Sequence, residues 1–122
     1  MKNIADIRQE YTKSGLRESE LPCDPLSLFS RWLQEAIDAN VEEPTAVIVG
    51  TVSPEGRPST RTVLLKGLHD GKFIFYTNYE SRKGRQLAQN PYISLSFVWH
   101  ELERQVPVSY THLRAHETLA NL

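Results

Sequence analysis

Thr45-Ala-Val-Ile-Val-Gly-Thr-Val-Ser-Pro-Glu-Gly-Arg-Pro-Ser-Thr-Arg-Thr-Val-Leu-Leu-Lys-Gly-Leu-His-Asp-Gly-Lys-Phe-Ile-Phe-Tyr-Thr77 decides the fold class. Thr45–Val52 is rich in β-branched residues and reads as a strand. Ser53-Pro-Glu-Gly56 reads as a turn, with Pro54 fixing φ and Gly56 free to take positive φ. Pro58–Lys66 is a second strand, so the pair forms a hairpin. Gly67–Gly71 makes another turn, and Lys72–Thr77 a third strand. Strands that follow one another through short turns build an antiparallel sheet or barrel, not a doubly wound parallel sheet.

Further along, Ser81 is placed to cap a short helix from Arg82 to about Gln89, stopped by Asn90-Pro91. Tyr92–Trp99 alternates as a half-buried strand, and Leu102–Val106 offers a fifth. Before the hairpin, Asp24-Pro25 is a helix start: an N-cap carboxylate followed by a proline at the first helical position. Leu28, Phe29, Trp32, Leu33, Ala36 and Ile37 then share one wide apolar face, and Asn40 ends the helix. Asn3 to about Lys13 reads as a short polar helix anchored by Ile4, Ile7 and Tyr11 and ended at Gly15; Leu16–Cys23 connects. The expectation is a mainly β fold with short helices.

The 122 residues fit one small domain, and 39% hydrophobic with 24% charged residues excludes wholesale disorder. Fourteen basic against fifteen acidic residues argue against a general polyanion binder, while leaving room for a local basic pocket. A single cysteine, Cys23, excludes an internal disulfide. No apolar run approaches the roughly 18–20 residues of a membrane span, and the first residues lack a signal-peptide core. A soluble cytoplasmic protein without nucleic-acid or membrane partners is expected. A glycine-rich phosphate loop is also absent.

Several groups of residues carry possible chemistry. Ser81-Arg82-Lys83 at a helix start would cradle a phosphate through backbone N–H groups, a forked donor and a point charge; the same residues also suit a capped helix with a solvated basic face. On the second strand, Arg61, Val63 and Leu65 share one face and Thr62, Leu64 and Lys66 the other. Arg61 and Lys66 would bracket a flat, polar-edged ligand, or serve as surface charges at the strand ends. Tyr76-Thr77 would add hydroxyls beside the basic turn, or pack Tyr76 on the core. Arg8-Gln9-Glu10-Tyr11 places an Arg and a Tyr near each other on a helix, as an anion grip or a solvated face. His112 and His116 lack a third ligand, so no metal is expected. No Ser-His-Asp arrangement or activated cysteine appears, and no side chain stands out as a catalytic nucleophile.

Arg8-Gln-Glu-Tyr11, Leu21-Pro22, Asp24-Pro25-Leu26, Arg61-Thr-Val-Leu-Leu-Lys66, Phe75-Tyr-Thr-Asn78, Ser81-Arg-Lys83, Asn90-Pro91 and Trp99-His-Glu-Leu-Glu-Arg-Gln105 occur in order. Together, over about residues 3–106, they resemble the pyridoxamine/pyridoxine 5′-phosphate oxidases, flavin enzymes that make pyridoxal 5′-phosphate. The resemblance implies an FMN-binding split β-barrel working as a homodimer, with O2 reoxidising the flavin. It implies that Arg61, Thr62, Val63, Leu64, Leu65, Lys66, Tyr76, Thr77, Arg82, Lys83 and Gln105 hold FMN. It assigns Arg8, Gln9, Glu10, Tyr11 and Lys66 to the phosphorylated substrate, pyridoxamine or pyridoxine 5′-phosphate. Two other readings are another split-barrel flavin oxidoreductase and a non-catalytic module for FMN or a phospho-ligand. The Arg8–Tyr11 motif speaks against the first of these.

Residues 1–106 are thus expected to form the N-terminal part of the split barrel. Pro107–Leu122 is expected to match nothing in the family: it reads as a translated adapter joined to a truncated gene, or else as a genuine divergent end. No replacement strand is expected in it, because Pro107 lacks a ladder donor and His112–Leu119 is mildly helical in pattern. Such a fragment is expected to bind FMN weakly and to lack oxidase activity.

Overall fold

The structure is a computed structural model that describes residues 3–7, 15–22, 24–76, 90 and 92–111. Helix α1 spans Pro25–Asp38. Five strands follow: β1 Ala46–Val52, β2 Pro58–His69, β3 Lys72–Phe75, β4 Tyr92–Trp99 and β5 Arg104–Thr111. They form one antiparallel sheet in the order β3-β2-β1-β4-β5. The mainly β expectation holds, and the helix packs over one face of the sheet.

Both ends of α1 follow from its sequence. The Asp24 carboxylate accepts from the Leu26 N–H at 3.1 Å, and Pro25 occupies the first turn. At the other end Asn40 takes φ 56°, its N–H donates to the Ile37 carbonyl and the Val41 N–H to the Ala36 carbonyl. This left-handed cap satisfies carbonyls that the helix leaves open, and it turns Val41 into the core. Asp24→Ala should therefore lower unfolding free energy by about 1 kcal/mol, checked by urea unfolding; an unchanged midpoint would show that the cap carries nothing.

The core lies between α1 and the sheet. Phe29 and Ala36 from the helix meet Val47, Val49, Leu65, Phe75, Ile93, Leu95, Phe97 and Trp99 from the strands. Phe29 sits at its centre, with ring centroids 5.1 Å from Phe73, 4.9 Å from Phe97 and 6.0 Å from Trp99. The Trp99 indole N–H donates to the Pro44 carbonyl at 2.9 Å, so its polar end is satisfied. Of the expected helix face, Ile37 stays exposed, while Trp32 and Leu33 pack against the core edge.

Four sequence expectations are corrected. The polar helix from Asn3 is instead a 3-10 turn over Ile4–Asp6, after which Ile7 is extended; residues 8–14 lie outside the described residues. β2 runs past Lys66 to His69, and the turn tightens to Asp70-Gly71, both at positive φ. Asp-Gly with two left-handed residues matches the twist of a hairpin. β3 ends at Phe75, short of Thr77. Finally, β5 runs through Pro107 to Thr111, paired to β4 along its whole length, with Pro107 opposite Ser96. β5 is an edge strand of the sheet, where a missing N–H turned away from the neighbour costs no ladder bond. A strand therefore does form beyond Val106. The expected helix from Arg82 to Gln89 and residues 112–122 lie outside the described residues.

Candidate functional site

β2 is the element on which most of the expected cofactor residues stand, and its register divides them. Arg61 and Val63 are half-buried and Leu65 buried on the helix-covered face; Thr62, Leu64 and Lys66 are exposed on the other. The alternation read from the sequence is therefore correct up to Leu65. There the ladder slips: Leu65 faces Phe75, but Gly67 faces Ile74. Lys66 is the extra residue of a β-bulge, which bends the strand and re-aims its side chain. The bulge also changes which residues point inward, so Leu68 joins Phe73 at the core after Leu65. The sequence signal was Gly67, a residue that marks bulges in strands.

β1 pairs with β2 over Pro58–Leu64, whereas β3 pairs only with Leu65–His69. On the side away from β1, the Pro58–Leu64 stretch meets no strand among the described residues. The Leu65 N–H points to β1, where it donates to the Thr45 carbonyl at 2.8 Å. Alternation then turns the backbone groups of Thr62 and Leu64 to the other edge. Tyr76 follows β3 directly and is half-buried beside this edge strand's end.

Arg61 is held from within. Its Nη1 donates to Thr51 Oγ1 at 2.6 Å and lies 3.4 Å from the carbonyls of both Val49 and Ser59. Thr51 is fully buried, a polar residue among the apolar inward positions of β1. Sequence reasoning missed it. The signal was present: Val47, Val49 and Thr51 alternate on one face, and the third carries a hydroxyl.

Gln105 is exposed on β5 opposite Val98, and Val98 and Leu64 are exposed apolar residues of the same outer sheet face. Gln105 and Lys66 thus share that face but stand on strands separated by β1 and β4. Next to Gln105, Arg104 turns the other way, where it pairs with Glu35 at 2.5 Å and lies 4.5 Å above the Trp32 ring. This ties the start of β5 to α1. Glu101 also binds the chain before β1, its carboxylate accepting from the Glu42 N–H at 3.1 Å.

The structure therefore brings Arg61, Thr62, Val63, Leu64, Leu65, Lys66 and Tyr76 together along one strand and its neighbour, and sets Gln105 across the sheet. Thr77, Arg82 and Lys83 lie outside the described residues, as do Arg8, Gln9, Glu10 and Tyr11. No cluster of metal-ligating side chains occurs among the described residues. No described helix is long and apolar enough to cross a membrane.

Comparison with known proteins gives this arrangement a family. A pyridoxine/pyridoxamine 5′-phosphate oxidase of Bacteroides thetaiotaomicron is 96% identical over 111 residues, covering 91% of this chain and 52% of that protein. The protein of the same name from Bacteroides fragilis is 79% identical over 106 residues, 87% of this chain and 45% of its own length. The chain spans about half the length of these curated relatives. Among solved structures, PhzG from Burkholderia lata, in complex with tetrahydrophenazine-1-carboxylic acid, matches with a TM-score of 0.77 at 33% identity. That match covers 82% of this chain and 50% of the other. The pyridoxamine 5′-phosphate oxidase family model matches residues 33–118, a span that takes in the whole sheet and runs past Pro107. With that span and the β2 geometry in agreement, the chain belongs to the pyridoxamine 5′-phosphate oxidase family.

Proposed function

We propose that the protein containing this chain oxidises pyridoxamine 5′-phosphate or pyridoxine 5′-phosphate to pyridoxal 5′-phosphate, with FMN as cofactor and O2 as acceptor, as a cytoplasmic homodimer. The family match and the names of the relatives support the reaction. The observation that carries it is the bulged β2 strand, with a fixed guanidinium on one face and an exposed ammonium at the bulge on the other.

These residues fit the cofactor. An FMN phosphate carries about −1.5 to −2 charges and calls for charge-assisted donors. Arg61 offers a guanidinium oriented by a hydroxyl and carbonyls. The outward-turned backbone of Thr62 and Leu64 offers donors and acceptors to the polar edge of a flat ring. Lys66 adds three donors beside it. Bound FMN would supply the two-electron acceptor for the carbon being oxidised, returning the electrons to O2 as peroxide. The protein's part is to orient that carbon, hold the phosphates and exclude side reactions. A second copy is supported by the exposed apolar residues Ile48, Leu64 and Val98 on the sheet face away from α1.

The test is the visible spectrum of the full-length protein carrying this segment, followed by peroxide release on separate addition of pyridoxine 5′-phosphate and pyridoxamine 5′-phosphate. Flavin colour and peroxide are expected; a colourless protein, or a yellow one that leaves both substrates intact, overturns the reading. Arg82 and Lys83 belong to the same proposal. Arg82→Glu or Lys83→Glu should weaken FMN binding far more than Arg31→Glu, because Arg31 serves α1 by donating to the Glu20 carbonyl. Equal losses in a flavin titration would remove the phosphate role from residues 82 and 83.

A further inference from the structure

We propose that Thr51 is a positioning residue for ligand binding: its buried hydroxyl sets the direction of the Arg61 guanidinium toward the ligand phosphate. The inference rests on the FMN reading above and adds to it a residue with no ligand contact of its own.

Thr51 sits where packing alone would favour valine. It follows Val47 and Val49 on the inward face of β1, and all three are essentially without solvent exposure. A hydroxyl in such a place is unfavourable unless it is hydrogen-bonded. Its acceptor role toward Arg61 meets that requirement, at 2.6 Å. The other two oxygens near the same nitrogen, from Val49 and Ser59, are at 3.4 Å, the long end of the hydrogen-bond range. Of these three oxygens, Thr51 Oγ1 makes the shortest contact with Nη1.

The sheet register produces this meeting. Val49 is opposite Arg61 and Thr51 opposite Ser59, so Thr51 is the diagonal neighbour of Arg61 on the covered face. A guanidinium is planar and tethered through Nε, so holding Nη1 as well narrows the directions its fork can take. A hydroxyl does this without lending a negative charge, which a carboxylate would. The short contact orients the cation before a ligand arrives.

The experiment compares FMN with riboflavin, which lacks the phosphate, in fluorescence titrations of the full-length protein. Thr51→Val keeps the shape and removes the acceptor. It should weaken FMN binding about tenfold, the scale of one hydrogen bond to a charged group, and leave riboflavin binding unchanged. Thr51→Ala should show the same split, and serves if the valine variant folds poorly. Thr51→Ser restores the hydroxyl and should bind FMN nearly as the parent does. A packing role predicts the reverse order, because serine loses a buried methyl group and valine does not. Arg61→Met separates the two layers of the argument. If it abolishes the preference for FMN over riboflavin while Thr51→Val preserves that preference, the positioning role is overturned and the FMN reading stands. If Arg61→Met leaves the preference intact, both the phosphate role of Arg61 and the role of Thr51 fall.

Discussion

Phe97→Ala should cost about 3–5 kcal/mol of stability, the scale for a buried phenylalanine cut to alanine. Phe97 has no solvent exposure, and its ring lies 4.9 Å from Phe29, 6.1 Å from Phe73 and 5.9 Å from Trp99. These partners come from α1, β3 and β4, so one cavity would loosen the helix and two strands at once. Aromatic pairs at these separations add to the area term. Equilibrium urea unfolding of the full-length protein is the measurement, with Val98→Ala as the outward-facing neighbour. A loss below about 1 kcal/mol would show that the aromatic cluster collapses into the space.

Lys66→Met should lower turnover on the order of 10²-fold with FMN and substrate both saturating, the scale for removing one pre-oriented donor from a reacting site. Methionine keeps much of the length and loses the charge. The reason lies in the bulge. The register slip between Leu65 and Gly67 sets Lys66 at the bulge, where the strand bends and its end is re-aimed. Steady-state rates for Lys66→Met beside Lys72→Met, an exposed lysine at the hairpin end, make the comparison. An unchanged kcat for Lys66→Met would remove Lys66 from the reaction. A fall equal to that of Lys72→Met would mean a general charge effect.

Much of the fold is legible in local chemistry. Asp24-Pro25 and Asn40 bound α1 because capping depends on residues within one turn. The two hairpins show in Ser53–Gly56 and Asp70-Gly71, where backbone conformation is limited by the residues themselves. The alternation of Arg61–Leu65 follows from the two-residue period of a strand. The motif Arg61–Lys66 likewise pointed to the family that the matched span then established.

What the chain alone determined is this set of local choices: a capped helix, hairpin strands, two faces of β2 and a basic residue on each. What only the tertiary structure decided is where those faces lead. The bulge at Lys66 depends on how β3 registers against β2, and the strand through Pro107 depends on β5 lying at the sheet edge. The Thr51 contact needs β1 and β2 in one register, so that a hydroxyl ten residues away meets Arg61. Local sequence fixes dihedral preferences; register and edge position are set by contacts between segments far apart in the chain, and those are made only when the sheet forms.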